Sequence, residues 1–152
     1  MFSVTVLCGT TVVVTGEKEI IESIMDFQSS TNKIWCACVD SSLPAFSIKK
    51  VKAGYLEAKK RGVRIRYITE ITKDNLEYCR EIMTFAELRH LDGVRGNFAL
   101  SETEYIAGLK RGNTMVSLVR SSSEELVRQQ HLVFETLWLH AVLADERLRE
   151  IV

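Results

Sequence analysis

The stretch RGVRIRYITEITKDNLEYCREIMTFAELRHLDGVRGNFALSETEYIA, residues 61 to 107, decides the fold because it predicts a strand, a helix and further strands in succession. Apolar residues at 63, 65 and 67 alternate with Arg64 and Arg66, which is the period of two of a strand. Thr69 and Glu70 come at its carboxyl end. In open α/β sheets, ligands bind beyond the carboxyl ends of strands. The first places to look for function are therefore Glu70, Arg89, His90 and residues 95 to 102.

The flanking segments predict one α/β domain, residues 1 to 152, with a mixed sheet covered by helices on both faces. Each segment has a hydrophobic period of 3.6 or 2, or is a short apolar run. The predicted helices are residues 17 to 29, a segment from Ser47, a segment from about Thr72 to near Leu91, and a long one opened by the capping box Ser122 to Glu125. The other predicted strands are residues 34 to 39, 96 to 100, 104 to 106 and 114 to 119.

Composition narrows the class of protein. Lys plus Arg and Asp plus Glu both count 20, so no net charge favours nucleic acid or an anionic membrane, and we expect neither as a partner. The apolar run VTVLCGTTVVV, residues 4 to 14, is shorter than the ~20 residues that span a bilayer. We interpret it as β-structure in a cytoplasmic protein.

The four cysteines, Cys8, Cys36, Cys38 and Cys79, are typical of buried thiols in a reducing compartment. A sharper alternative is a metal or redox site in which Cys36, Cys38, Cys79 and His90 act as ligands. Their spacing matches no familiar zinc pattern, so we expect no cofactor.

Several motifs carry a resemblance to a known family: CACVDSSLPAF (36 to 46), KKRGVRIRYITEITKDNLEYCREI (59 to 82), ELRHLDGVRGNF (87 to 98) and SETEYIA (101 to 107). They resemble the amino-terminal input domain of archaeal sensor histidine kinases, which is similar to one half of the phospholipase D fold. The resemblance covers nearly the whole chain from about Thr11 onward. It implies a signal-sensing domain that forms a homodimer and connects at its carboxyl end to a kinase module.

The resemblance also bears on catalysis. An active phospholipase D half carries His-x-Lys-x4-Asp, and the register at Phe98 places Arg95, Asn97 and Glu102 at those three positions. An arginine keeps no free lone pair and cannot attack phosphorus, and Asn97 lacks the positive charge that would stabilise a phosphoryl transition state. The resemblance therefore implies the fold, and the three residues predict that the domain is not an enzyme.

A degenerate site of this kind predicts binding of a small anionic or polar ligand, since arginine holds a carboxylate or phosphate through two hydrogen bonds. The competing interpretation is an internal network in which Arg95 and Arg120 pair with Glu70 and Glu102. Asp40 is a candidate for the ligand site or for capping the loop behind it. Two other functions stay open: a phosphodiesterase of the phospholipase D superfamily active as a dimer, and the cysteine-based sensor. The predicted ligand-binding residues are Glu70, Arg95, Asn97, Glu102, Arg120 and Ser121.

Overall fold

A computed structural model describes residues 9–152, and the first eight residues, with Cys8 and the start of the opening apolar run, lie outside the described part. Within residues 9–152, no helix is long and apolar enough to cross a membrane. The strands are β1 (Thr11–Thr15), β2 (Ile34–Cys38), β3 (Arg64–Thr69), β4 (Glu87–His90), β5 (Phe98–Ser101), β6 (Tyr105–Arg111), β7 (Thr114–Ser121) and β8 (Val142–Leu143). The helices are α1 (Glu17–Ser30), α2 (Leu43–Lys60), α3 (Leu76–Ile82), α4 (Glu124–His140) and α5 (Ala144–Ile151).

The strands form one mixed sheet in the order β1-β7-β6-β5-β2-β3-β4-β8. Strands β2, β3 and β4 are parallel, and the other pairs are antiparallel. The carboxyl ends of the three parallel strands therefore meet at one edge, which we call the upper edge. Strand β5 starts there, since Phe98 pairs with Cys38, and the opposite side is the lower edge.

Helices cover both faces of the sheet, as the sequence predicts. On one face α1, α2 and α3 bury a cluster that includes Phe27, Trp35 and Tyr55, and the indole of Trp35 stacks on Tyr55 at 4.0 Å between ring centroids. On the other face, α4 packs Phe134 against a cluster that includes Ile68. Each large side chain buried in this way stabilises the fold by roughly 1.5–3 kcal/mol. The predicted α/β fold is confirmed.

Three element boundaries differ from the predictions. The helix expected to reach Leu91 ends at Ile82, and Glu87–His90 forms the short strand β4, whose four residues carry no strong strand signal of their own. Helix α2 begins before Ser47, because Pro44 fits the first turn, where its missing N–H is not needed. Helix α4 is capped by Ser123 and not by Ser122, since the Ser123 hydroxyl accepts from Leu126 N at 3.3 Å.

The cysteines do not converge on a common site. Cys36 and Cys38 are buried on the α4 side of the sheet, whereas Cys79 lies in the cluster on the opposite side. Burial raises the pKa of Cys38 and of Cys79 to about 12, so both thiols are protonated at neutral pH. Among the described residues, no group of three histidine, cysteine or acidic side chains is placed to hold a metal ion.

Candidate functional site

Asp40 organises the upper edge, directly beyond β2. Its Oδ1 accepts from Ser42 N at 2.9 Å and from the Ser42 hydroxyl at 2.7 Å, while Oδ2 accepts from Asn97 Nδ2 and from Lys110 Nζ, both at 2.9 Å. Burial alone would raise the pKa of Asp40, but the hydrogen bonds from Asn97, Ser42 and Lys110 outweigh it and lower the pKa to about 2. Asp40 is thus an anion at neutral pH that caps its loop and neutralises Lys110.

Asn97 joins three strands at this edge. Its Oδ1 accepts from Asp40 N at 2.9 Å, its Nδ2 donates to the Asp40 carboxylate, and its backbone oxygen accepts from Gly108 N at 2.8 Å. The amide group is therefore occupied on both sides, and its contribution to the site is to hold β2, β5 and β6 in position.

Beside these residues lies an open space of about 400 Å³. Its polar side is formed by Asp40, Arg95, Asn97 and Lys110, and its apolar wall includes Phe98, Tyr105, Ala107 and Leu109. We call the space lined by these eight residues the crevice. Its volume falls in the roughly 300–1,000 Å³ of ligand pockets.

The crevice has an excess of positive charge. The Lys110 ammonium is paired with Asp40, and its side chain is only 13% exposed. Arg95, by contrast, is exposed and makes no hydrogen bond or ion pair within residues 9–152. An unpaired guanidinium keeps all its donors available for a planar anionic group.

The structure separates the six predicted ligand residues. Arg95 and Asn97 line the crevice. Glu70 follows β3 at the same edge but does not line it, because β2 lies between β3 and β5 in the sheet. The other three are at the lower edge, and their prediction as crevice residues is wrong: Glu102, Arg120 and Ser121.

Glu102 has a structural role at the lower edge. Its carboxylate accepts from Asn32 N and Lys33 N, both at 2.9 Å, and from Ile34 N at 3.2 Å, so it anchors the start of β2. Burial would raise the pKa of Glu102, but these amide donors lower it overall. Because β5 runs from the upper to the lower edge, Asn97 and Glu102 stand about 17 Å apart at 3.4 Å per residue.

Arg120 and Ser121 end β7 at the lower edge. Arg120 Nε donates to Glu104 at 2.8 Å, and the Ser121 hydroxyl lies 2.7 Å from that of Thr11. Arg120 thus pairs with neither Glu70 nor Glu102, and the partners proposed in the predicted internal network are wrong. Strands β5 and β7 run toward the lower edge, whereas β2, β3 and β4 run toward the upper edge, so the residues at their carboxyl ends do not meet.

The six predicted ligand residues do not include Lys110, Phe98 and Tyr105, which also line the crevice. The sequence feature that could have placed them is the hairpin of β5 and β6. In it Phe98 pairs with Ala107, so the end of β6 returns to the upper edge beside Asn97.

His90, one of the first places to look for function, has both ring nitrogens engaged. Its Nδ1 accepts from Ile71 N at 2.9 Å, which leaves Nε2 to carry the proton and donate to Asp92 at 2.7 Å.

No protein-family model matches the sequence, and no curated protein matches it significantly. Solved structures do match. The chain is similar to TrmBL2, described as an archaeal chromatin protein with a novel mode of DNA binding (TM-score 0.71, 17% identity, 88% of this chain and 54% of that one). It is similar to NucT from Helicobacter pylori (TM-score 0.73, 11% identity, 88% and 98%). It is also similar to phosphatidylserine synthase from Haemophilus influenzae (TM-score 0.60, 11% identity, 88% and 39%).

These likenesses give the class of fold: the chain has a phospholipase D-like fold, as the resemblance implied. It spans about half the length of TrmBL2. At such low identity a likeness shows the fold, and nothing in it indicates a kinase input domain, so that part of the resemblance stays a hypothesis.

Two predictions are corrected by these findings. The prediction that the chain is not an enzyme is wrong, because the same fold occurs in phosphatidylserine synthase, and the argument from Arg95, Asn97 and Glu102 bore on one mechanism only. The exclusion of nucleic acid is also wrong, because the fold occurs in a protein described as binding DNA. Net charge averages over the whole surface, whereas Arg95 and Lys110 gather at one crevice.

Proposed function

We propose that this chain is a phosphodiester-binding domain that holds an anionic phosphate of its ligand at the crevice. The observation that carries the proposal is the guanidinium of Arg95, which has no partner within residues 9–152 and lines the same open space of about 400 Å³ as Lys110. A phosphodiester presents two non-bridging oxygens that share one negative charge, in the geometry that arginine binds through two parallel hydrogen bonds.

The two cations have different parts in this proposal. Lys110 is fixed by its 2.9 Å contact with Asp40, which largely cancels its charge, so its part is to offer a remaining N–H donor at a defined position. Arg95 is exposed and provides the direct hydrogen bonds. Asn97 holds the backbone of this edge across three strands, so the main ordering cost on binding is that of the exposed Arg95 side chain.

The solved structures support this class of ligand. TrmBL2 is described as binding DNA, whose backbone is a chain of phosphodiesters, and phosphatidylserine synthase is named for a lipid that contains one. A phosphodiester is the chemical group common to both names, and the crevice has the charge to bind it.

The test uses a fluorescently labelled abasic octanucleotide, a sugar-phosphate strand without bases, in an anisotropy titration at low ionic strength. We expect saturable binding to the wild type and at least a tenfold loss in Arg95→Gln. The matched control is Arg128→Gln, because Arg128 is an exposed arginine on α4 with one surface ion pair. Equal affinities of wild type, Arg95→Gln and Arg128→Gln, or no binding at all, would overturn the proposal.

A second candidate function is phosphodiester hydrolysis or transfer, favoured by the shared fold with phosphatidylserine synthase. Arg95 and Lys110 would stabilise the charge that develops on the phosphoryl oxygens. In hydrolysis of bis(p-nitrophenyl) phosphate a water molecule would attack the phosphorus, the P–O bond to the leaving group would break, and p-nitrophenolate would leave. Cleavage of bis(p-nitrophenyl) phosphate by wild type and Arg128→Gln but not by Arg95→Gln would support this activity.

The resemblance to kinase input domains supplies a hypothesis for what the binding serves. Helix α5 is tied to the upper end of β3, because Arg147 Nε donates to the Ile71 oxygen at 3.0 Å. A ligand that alters the upper edge could then change the packing of α5 if it binds one arrangement more tightly. Hydrogen exchange of the α5 amides with and without the abasic strand tests this, and identical exchange would reject it.

A further inference from the structure

The crevice has an aromatic wall next to its cations. Phe98 begins β5 and Tyr105 begins β6, and their side chains lie on the α4 side of the sheet with ring centroids 6.0 Å apart. Both rings are partly exposed and line the same crevice as Arg95. Gly96 and Ala107 add little bulk beside them. A flat apolar ring can therefore reach this wall while a group attached to it reaches Arg95.

The Tyr105 hydroxyl makes no hydrogen bond within the part of the chain that the structure describes. Burial raises the pKa of Tyr105, so the hydroxyl stays neutral and can donate or accept. Among the described residues, the crevice is thus lined by two residues whose polar groups have no partner, Arg95 and Tyr105, and by the aromatic rings of β5 and β6. A bound acyl chain would satisfy neither group, whereas a nucleotide has a phosphate, a flat face and a polar ring edge.

We propose that the crevice binds a nucleotide of a single-stranded nucleic acid, with its base against Phe98 and Tyr105 and its backbone phosphate on Arg95. This rests on the proposed phosphodiester binding and adds the base as a second recognised group. The strand is single because bases in a duplex are stacked on their neighbours and do not present a free face. Stacking on aromatic side chains tolerates any base sequence, so we expect little sequence preference.

The experiment compares a labelled octathymidylate with the labelled abasic octanucleotide of equal charge, on the same protein and at the same salt. The wild type should bind the base-bearing strand roughly 5- to 150-fold more tightly, the range that stacking of one base gives. In Tyr105→Leu and in Phe98→Leu the ratio of the affinities for the two strands should fall severalfold, whereas Arg128→Gln, which lies outside the crevice, should keep the wild-type ratio. Tyr105→Phe keeps the ring and should retain most of the preference.

Thermal unfolding of each variant confirms that it is folded, and the ratio of the two affinities separates an effect on base binding from a general loss of binding. Equal affinity for the two strands in the wild type would overturn the inference and leave phosphodiester binding standing. Loss of the Arg95 dependence with a retained base preference would instead overturn the proposed phosphate contact. A duplex that binds as tightly as the single strand, or phosphatidylglycerol vesicles that bind more tightly, would also overturn the inference, the latter in favour of a lipid.

Discussion

The upper and lower edges of the sheet both carry charged side chains but use them differently. At the lower edge, the carboxylate of Glu102 accepts three backbone N–H groups, and Arg120 is paired with Glu104 at 2.8 Å. At the upper edge, Asp40 and Lys110 are paired, whereas Arg95 has no partner within residues 9–152. The comparison distinguishes paired charges, which stabilise the fold, from the charge of Arg95, which is available to a ligand.

Partly buried charges must be paired, because an unpaired one would keep its full desolvation cost. Glu102 and Arg120 satisfy this rule inside the chain and therefore act as structural anchors. An exposed arginine keeps its hydration, so leaving Arg95 unpaired costs little stability. The comparison predicts that substitutions at the lower edge change stability and leave binding unchanged, while those at the upper edge change binding.

The largest expected effect on stability comes from Glu102→Ala. Three N–H groups at the start of β2 lose a charged acceptor. Water molecules would form some of the lost hydrogen bonds, so we expect the free energy of unfolding to fall by about 2–3 kcal/mol. Urea denaturation measures it, and Glu22→Ala, which removes an exposed carboxylate from α1, is the control. A loss as small as that of the control would break the distinction between the edges.

Arg120→Gln should have a smaller effect, about 1–2 kcal/mol, because the Glu104 carboxylate that it leaves behind is 17% exposed and also accepts from Ser30. The same denaturation experiment applies, with Arg128→Gln expected to change stability by less than about 0.5 kcal/mol. Affinity for the abasic strand should be unchanged in both variants. Weaker binding in Arg120→Gln would show that the lower edge contributes to the site after all.

The sequence predicted the sheet because most of its strands have a local signal, through the alternation in residues 63 to 68 and the unbroken apolar run at 34 to 39. Strand β4 was missed because its four residues are strand only through their pairing with β3 and β8. Such pairing is a property of the whole sheet and leaves no periodic signal in ELRH.

The site was predicted in part for a related reason. Arg95 and Asn97 lie at the predicted end of the sheet because they precede β5, and their role in binding stays a prediction. Glu102, Arg120 and Ser121 were misplaced because charge and sequence proximity do not tell the direction of a strand. Lys110 needed the register of the β5–β6 hairpin, which depends on side-chain pairing across the two strands.

Asp40 gives the upper edge a measurable dependence on pH. Its pKa falls from the ordinary 3.8 to about 2 in the folded chain, so its contribution is complete above about pH 4 and is lost as the pH falls through 2. We expect about 1–2 kcal/mol from this carboxyl, after allowing for partial exposure. Between about pH 4 and pH 2, the free energy of unfolding should therefore fall less in Asp40→Asn than in the wild type. Parallel profiles for wild type and variant would contradict the assignment.

The smallest expected effect concerns binding at the upper edge itself. Asp40 neutralises Lys110, so Asp40→Asn should leave an amide that can still hydrogen-bond Asn97 while the lysine charge is no longer cancelled. Removing one negative charge near a bound phosphate is worth up to about 1 kcal/mol in a well-hydrated site, so affinity for the abasic strand should rise about 2- to 5-fold. The gain should shrink as salt is added, because salt screens the charge. Glu22→Gln changes the net charge of the chain equally and should leave the affinity unchanged. Weaker binding in Asp40→Asn would instead mean that Asp40 serves the site by holding Lys110 in place, so that position matters more than charge.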